Sequence, residues 1–543
     1  MSTHIDFISE LPIDITWNIF LYFTVYDLAE YLRISREWRK RILNCAKVWQ
    51  TIEINFRSST LTEILPQVAP FVQRFNVEIG SPIHDSLKLV KDGYFTNLTS
   101  ISISKNLPLL EEILSSCPNL TRLAYCTTAS VDIGMSKQGC SYLPNKLKLT
   151  HLFLRIKCNV NMDYQELERL LQHCPDVELL DIGQCELSPL DMINRYCPKL
   201  IQLTIDDYSS YDFCDRPSLA IPKGWFKTIK QQQQKIKSSN FSSKNSTNNH
   251  NNINNLQSVF LKLRPEQVDG TQMLSLLDDH QDELKNLSIH LPNYDGFNPD
   301  PRWNPLLNFG SNTLQHLTFD THTYPHVLIS ILRKCPNICR LKLNNLYSFD
   351  SDEIDAIANA PSLRYCHFLS RLHFTLNNMN RFAISLQKRG PDNGLKLLEF
   401  DNWKCITDDM LEALAWITNL KGLKFVSCNK LTSFRLHEFF ENLPKTTTAL
   451  KYLSLKNLEN VNDFTLHAVG EMKTLRSIEL IGLNDITDNG LVRLMSSPVV
   501  ANLKHLKVFQ CSKLKLSKKT INYCKAKVSN VTLIKTFVFP PLS

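Results

Sequence analysis

Glycine is scarce in this chain, 15 of 543 residues, which speaks against a flexible array and against glycine-rich phosphate loops. The nearest approach to such a loop, Gly134 to Cys140, has the right glycine spacing. It places Cys140 where a phosphate-binding lysine would have to stand. No C-x-x-C and no G-x-S-x-G occurs. His437-Glu438 opens a zinc-protease pattern, but Glu441 occupies the position of its second histidine. No apolar run reaches the ~18 residues that cross a bilayer as a helix. The opening residues MSTHIDFISELP lack a basic stretch followed by an apolar one, so no secretory signal is expected. These absences point to the cytoplasm or nucleus, where the sixteen cysteines stay thiols. Acidic residues are missing from the C-terminal segment. From Ala501 to the end there are nine lysines (Lys504, Lys507, Lys513, Lys515, Lys518, Lys519, Lys525, Lys527, Lys535) and no Asp, Glu or Arg. That segment accounts for the whole net charge of +8, and the rest of the chain is nearly neutral.

What is present is a repeat. L-x-x-L-x-L returns throughout, most clearly in GLKLLEFDNWKCITD, NLKGLKFVSCNKLTS, ALKYLSLKNLENVND, TLRSIELIGLNDITD and NLKHLKVFQCSKLKLS. The first leucines of these copies are Leu395, Leu420, Leu450, Leu475 and Leu503, spaced 25, 30, 25 and 28 residues apart. Looser copies start at Leu98, Leu120, Leu149, Val177 and Leu200, and others at Leu256, Leu284, Leu314, Ile338 and Leu363. Phe71 and Val531 stand where end copies would begin. The alternating L-x-L is a strand with one buried face. The residues after it, as in DDMLEALAWI, return the chain as a helix. One such unit cannot cover its own apolar surfaces, so the units must stack. Residues 227–255, KTIKQQQQKIKSSNFSSKNSTNNHNNINN, have almost nothing to bury and are expected to be a disordered insertion between repeats.

Ahead of the repeats, Ile15, Ile19, Phe20 and Phe23 line one face of a short helix. Asp27 is the expected N-cap of a second helix from Leu28 to Ile34. Trp38 and Ile42 continue a third, closed by Trp49. A module of fifty residues hides little surface, and its apolar side chains predict a partner. The ordered elements Leu11-Pro12, Ile19-Phe20, Asp27-Leu28, Ser35-Arg36-Glu37-Trp38 and Val48-Trp49 resemble the F-box, with valine where the family has leucine. The repeats resemble the cysteine-containing leucine-rich-repeat subtype found in F-box proteins. Cys117-Pro118, Cys174-Pro175, Cys197-Pro198 and Cys335-Pro336 match its C-P element, and Ile406-Thr407-Asp408 and Ile486-Thr487-Asp488 its I-T-D element.

The resemblance implies an α/β leucine-rich-repeat solenoid, a horseshoe, at 53–543, preceded by an all-α F-box at 1–52. It implies that Leu11, Pro12, Ile15, Ile19, Phe20, Phe23 and Leu28 bind the Skp adaptor. Cullin and RING subunits would follow through that adaptor. The chain would then be the substrate-recognition subunit of an SCF ubiquitin ligase, non-catalytic and without cofactor or metal, marking targets for proteasomal degradation. Targets would bind the x positions of the concave sheet. These are polar or acidic early on (Asp181, Gln184, Asp206, Asp207, Asp320). Later they are Asp401, Asn402, Lys424, Ser427, Lys456, Asn457, Lys507 and Gln510. The lysine-rich end would attract an acidic or phosphorylated partner, or it caps the last repeat with polar surface. Two other functions stay open. One is a non-degradative F-box scaffold. The other is nucleic-acid binding by the lysine-rich end, against which stands its lack of arginine and of interleaved aromatics.

Overall fold

The structure is a computed structural model. It describes residues 7–54, 59–77, 84–103, 110–127, 146–156, 164–183, 189–206, 256–262, 270–291, 301–321, 324–344, 351–369, 375–389, 394–401, 406–446 and 450–534. The chain forms two compact units, Met1–Leu256 and Gln257–Ser543. The predicted insertion at 227–255 and the terminal residues 535–543 lie outside the described residues.

Each unit is a leucine-rich-repeat solenoid built on a parallel sheet. In the first unit β1 to β7 are Thr51–Ile54, Arg74–Val77, Ser100–Ile103, Arg122–Thr127, His151–Ile156, Leu179–Ile182 and Gln202–Asp206. In the second, β8 to β18 are Ser258–Lys262, Asn286–Leu291, His316–Thr321, Arg340–Asn344, Tyr365–Leu369, Leu397–Asp401, Gly422–Val426, Tyr452–Lys456, Ser477–Ile481, His505–Phe509 and Asn530–Ile534. Within a unit every strand pairs in parallel with the next. Parallel neighbours require a crossover, and helices such as Asp408–Ala415 and Asp463–Gly470 supply it.

All fifteen repeat leucines and their substitutes are at most 5 % exposed. The two end copies are offset from the sequence reading. Val72 and Val528, not Phe71 and Val531, take the buried position two residues ahead of their strands. The register is pinned by a backbone relay just ahead of each strand. The carbonyl of Lys396 accepts from the N–H groups of Lys421 and Gly422, that of Lys421 from Lys451 and Tyr452, and that of Lys451 from Arg476 and Ser477. Behind the sheet Phe368, Phe400 and Phe425 stack at 5.8 Å between successive ring centroids. The cysteines of the C-P elements are buried thiols. Burial pushes Cys117 up to about 11 and Cys197 to about 12, so they pack as small hydrophobes and are inert as nucleophiles.

The I-T-D element has a mechanical role. Thr487 is the N-cap of the helix Asp488–Leu494, its hydroxyl accepting from the Gly490 N–H. The following aspartate reaches the next repeat. Asp408 accepts from the N–H and hydroxyl of Thr432 at 2.8 and 2.7 Å. Asp488 accepts from the N–H groups of Lys515, Leu516 and Ser517 and from the Thr520 hydroxyl. One carboxylate thus straps each loop to its neighbour.

Helices Ile13–Phe20, Val25–Tyr31 and Arg36–Leu43 precede β1. The second starts earlier than its apolar residues suggested. Its N-cap is Thr24, not Asp27, and Asp27 completes a capping box by accepting from the Thr24 N–H. Ser35 caps the third helix. Phe20 and Trp38 meet at 5.9 Å between centroids, and Trp49 donates its indole N–H to the Ile42 carbonyl at 2.9 Å. Among the described residues no helix is long and apolar enough to cross a membrane.

Candidate functional site

Two surfaces answer to the sequence expectations: the N-terminal helices and the open face of the second unit's sheet. The seven N-terminal candidates divide by exposure. Pro12 is exposed and Ile15 is 44 % exposed, while Leu11, Ile19 and Phe23 are half-buried. Phe20 and Leu28 are fully buried, so in this chain they are core and present no surface to a partner. A helix this short must spend its largest apolar side chains on its own neighbours. The Leu11-Pro12 corner is held from behind by Arg41, which donates to the Leu11 carbonyl at 2.7 Å and the Thr16 hydroxyl at 3.1 Å. Exposed apolar residues that sequence reasoning passed over stand in the same module: Ile13, Leu21, Tyr22 at 90 % exposure, and Ile34. Leu21, Tyr22 and Ile34 lie in the turns that follow the first two helices.

On the second unit, parallel register aligns side chains from successive repeats in rows. The middle row runs His367, Glu399, Lys424, Ser454, Glu479, Lys507. Of the eight residues expected on this face, Asp401, Lys424, Lys456 and Lys507 are there. Asn402 lies outside the described residues. Ser427, Asn457 and Gln510 are elsewhere: each sits one residue past its strand with φ of 53°, 50° and 57°. These are turn residues, and the N–H groups of Ser427 and Asn457 donate to the carbonyls of Lys456 and Ile481 in the next repeat.

The row is a linked network. Lys424 pairs with Glu399, and Tyr365 donates its hydroxyl to the second Glu399 oxygen at 2.7 Å. His367 stands beside Glu399 and Asp401. Three repeats on from Glu399, Glu479 accepts from the Tyr452 hydroxyl at 2.9 Å and the Ser454 hydroxyl at 3.2 Å, and faces the Lys507 ammonium at 3.7 Å. Burial opposes ionisation of Glu399, yet Lys424 and Tyr365 outweigh it and hold its pKa below the usual value. Burial and the bond to Glu479 push the Tyr452 phenol up to about 12. Sequence reasoning named the lysines but missed Glu399, Glu479, Tyr365 and Tyr452. Their alternation with buried leucines was visible, but not who stands opposite whom.

On the first unit Asp181 and Asp206 are buried, not solvated. Arg155 lies 3.2 Å from Asp181 and 3.9 Å from Asp206, and stacks its guanidinium over Phe153. Gln184 and Asp207 fall outside the described residues, as does the side chain of Asp320. In the basic end, eight of the nine lysines are exposed and described. Lys507 and Lys513 already face Glu479 and Asp485.

No family model matches the chain, and no curated protein does. Among solved structures, the chain is similar to one from the Rad7–Elc1 complex of yeast, at 15 % identity and a TM-score of 0.36. The match covers 69 % of this chain and 79 % of that one. It is similar to a TLR13–ssRNA13 complex structure at 13 % identity and a TM-score of 0.40, covering 81 % of this chain and 63 % of that one. A protein of Bacteroides fragilis matches at 16 % identity and a TM-score of 0.31, covering 57 % and 81 %.

Proposed function

We propose that this chain is the substrate-recognition subunit of an SCF-type ubiquitin ligase: its N-terminal helices dock the Skp adaptor and its repeats hold the target. The observation that carries the reading is the pairing of the ordered F-box elements from Leu11-Pro12 to Val48-Trp49 with exposed apolar side chains on the same helices and the turns between them. Ile13, Ile15, Leu21, Tyr22 and Ile34 are solvent-facing there, and aliphatic and aromatic anchors are what interface hot spots use. The open sheet face offers the second surface, a row of fixed carboxylates, phenols and ammonium groups suited to a polar partner. Ubiquitin transfer itself would be carried by other subunits. This chain contributes proximity, raising the effective concentration of target at the transfer site.

The test is co-purification from cells of the wild type and of a Pro12→Ala/Ile15→Ala/Ile19→Ala variant. The reading requires that the variant lose adaptor and cullin while keeping proteins bound to the repeats. A wild type that never co-purifies with the adaptor ends it.

A further inference from the structure

In-register strands bring three metal-ligating side chains to one point of the second unit's open face. His367 on β12 lies opposite Glu399 on β13, and Asp401 stands two residues along the same strand. One donor atom from each lies within 4.8 Å of the other two. His367 Nε2 is 3.6 Å from Glu399 Oε1 and 3.8 Å from Asp401 Oδ2. These gaps are too long for hydrogen bonds. They approach the ~3.4 Å that separates two donors around an ion held tetrahedrally at ~2.1 Å.

His367 supplies a second, independent pointer. Its side chain is 9 % exposed, and among the described residues Nε2 has no hydrogen-bond partner. A buried ring nitrogen aimed between two carboxylates and bonded to neither is costly unless something sits among them. The surroundings are also those of a ligand set. Tyr365 orients Glu399 by its hydrogen bond to Oε2, leaving Oε1 directed at His367. Lys424, in register on β14, holds its ammonium against that same Oε1. It is the counter-charge in place there, on a side chain long enough to swing away.

We propose that His367, Glu399 and Asp401 bind one divalent cation of the zinc class, in exchange for the Lys424 ammonium. One imidazole and two carboxylates suit Zn²⁺ better than thiolate-seeking Cu(I) or the all-oxygen sites of Mg²⁺ and Ca²⁺. Among the described residues the site has three protein ligands, which leaves one coordination position open on the sheet face. The site depends on this chain's residues alone, so it stands or falls separately from the adaptor reading.

The experiment uses the full chain, stripped with chelator, titrated with Zn²⁺ by calorimetry and with Co²⁺ by visible absorption. The expected result is one equivalent lost in His367→Gln and in Asp401→Asn, without the sulfur-to-metal charge-transfer band in its cobalt spectrum. Tyr365→Phe should weaken that equivalent about 10- to 100-fold, and Lys424→Gln should tighten it. Equal stoichiometry and affinity in the wild type and both ligand variants would overturn the site, as would a cobalt spectrum of thiolate ligation alone. Lys424→Gln removes no ligand, so unchanged or weaker binding in that variant overturns the exchange even if a ligand variant misfolds.

Discussion

Thr487 binds both oxygens of the Asp463 carboxylate, its N–H donating to Oδ1 at 2.8 Å and its hydroxyl to Oδ2 at 2.6 Å. The two residues are adjacent only because their repeats stack. Gly490 makes the contact possible, since a Cβ there would lie 1.9 Å from Asp463 Oδ1. Asp463→Ala and Gly490→Ala should therefore each destabilise the chain, by about 1–3 kcal/mol for the lost charge-assisted bonds. Because both break one strap, the double variant should cost less than the sum. Additive midpoints in urea unfolding would show that the strap is not the shared element.

Asp488 gives the same device a pH signature. Burial disfavours its charge, but the Ser517, Leu516 and Lys515 N–H groups and the Thr520 hydroxyl outweigh burial and leave its pKa lowered. A depressed folded-state pKa means the contribution is complete above the unfolded value of ~3.9 and is lost as pH falls through the folded value. The stability difference between wild type and Asp488→Asn should be constant at neutral pH and shrink only below about pH 4. A difference that changes between pH 6 and 8 would assign the effect to another group.

The turn after each strand carries a further expectation. Ser427, Asn457, Gly482 and Gln510 hold equivalent positions with positive φ, but only one is glycine. Gly482→Ala should be destabilising, because its Cβ would lie 2.1 Å from Asn457 Oδ1 at a φ of +63°. Gln510→Gly, by contrast, relieves a left-handed residue and should be neutral or stabilising by up to about 1 kcal/mol. Thermal midpoints of the two variants, measured together, should move in opposite directions or, at most, one should stand still.

Exposure separates the proposed adaptor contacts from the core of the N-terminal module. Ile15→Ala and Tyr22→Ala should leave the thermal midpoint almost unchanged while weakening adaptor binding. Phe20→Ala removes a fully buried ring and should cost about 3–5 kcal/mol. Adaptor loss in that variant would report unfolding. Circular dichroism melts alongside adaptor pull-down distinguish the two classes, and a stable Phe20→Ala protein would reverse the assignment.

Much of the fold was legible because burial imposes a period. Leu98, Leu284 and Leu475 could be placed inward from the L-x-x-L-x-L pattern alone, since a strand alternates its faces and only one can be wet. The ends were less legible. Phe71 and Val72 are both apolar neighbours, and only packing chose Val72 as the buried one. Asp27 looked like a cap from its position before an apolar run, yet Thr24 takes the cap, because a helix start is set by which side chain reaches a free N–H. For the open face, Lys424 and Lys507 were found by counting strand positions, whereas Ser427 and Gln510 were carried one residue too far, into the turn.

The amino-acid sequence by itself determined the repeat, the side of each strand that is buried, the cysteines as packed thiols, and the set of F-box-like elements. Local periodicity and composition suffice for these, because each depends on residues a few positions apart. The tertiary structure alone decided that His367, Glu399, Asp401 and Lys424 share one place, that Asp463 meets Thr487, and that Phe20 is core while Ile15 is surface. Those relations join residues that packing makes neighbours, and for the strands the joining rule is parallel register between repeats.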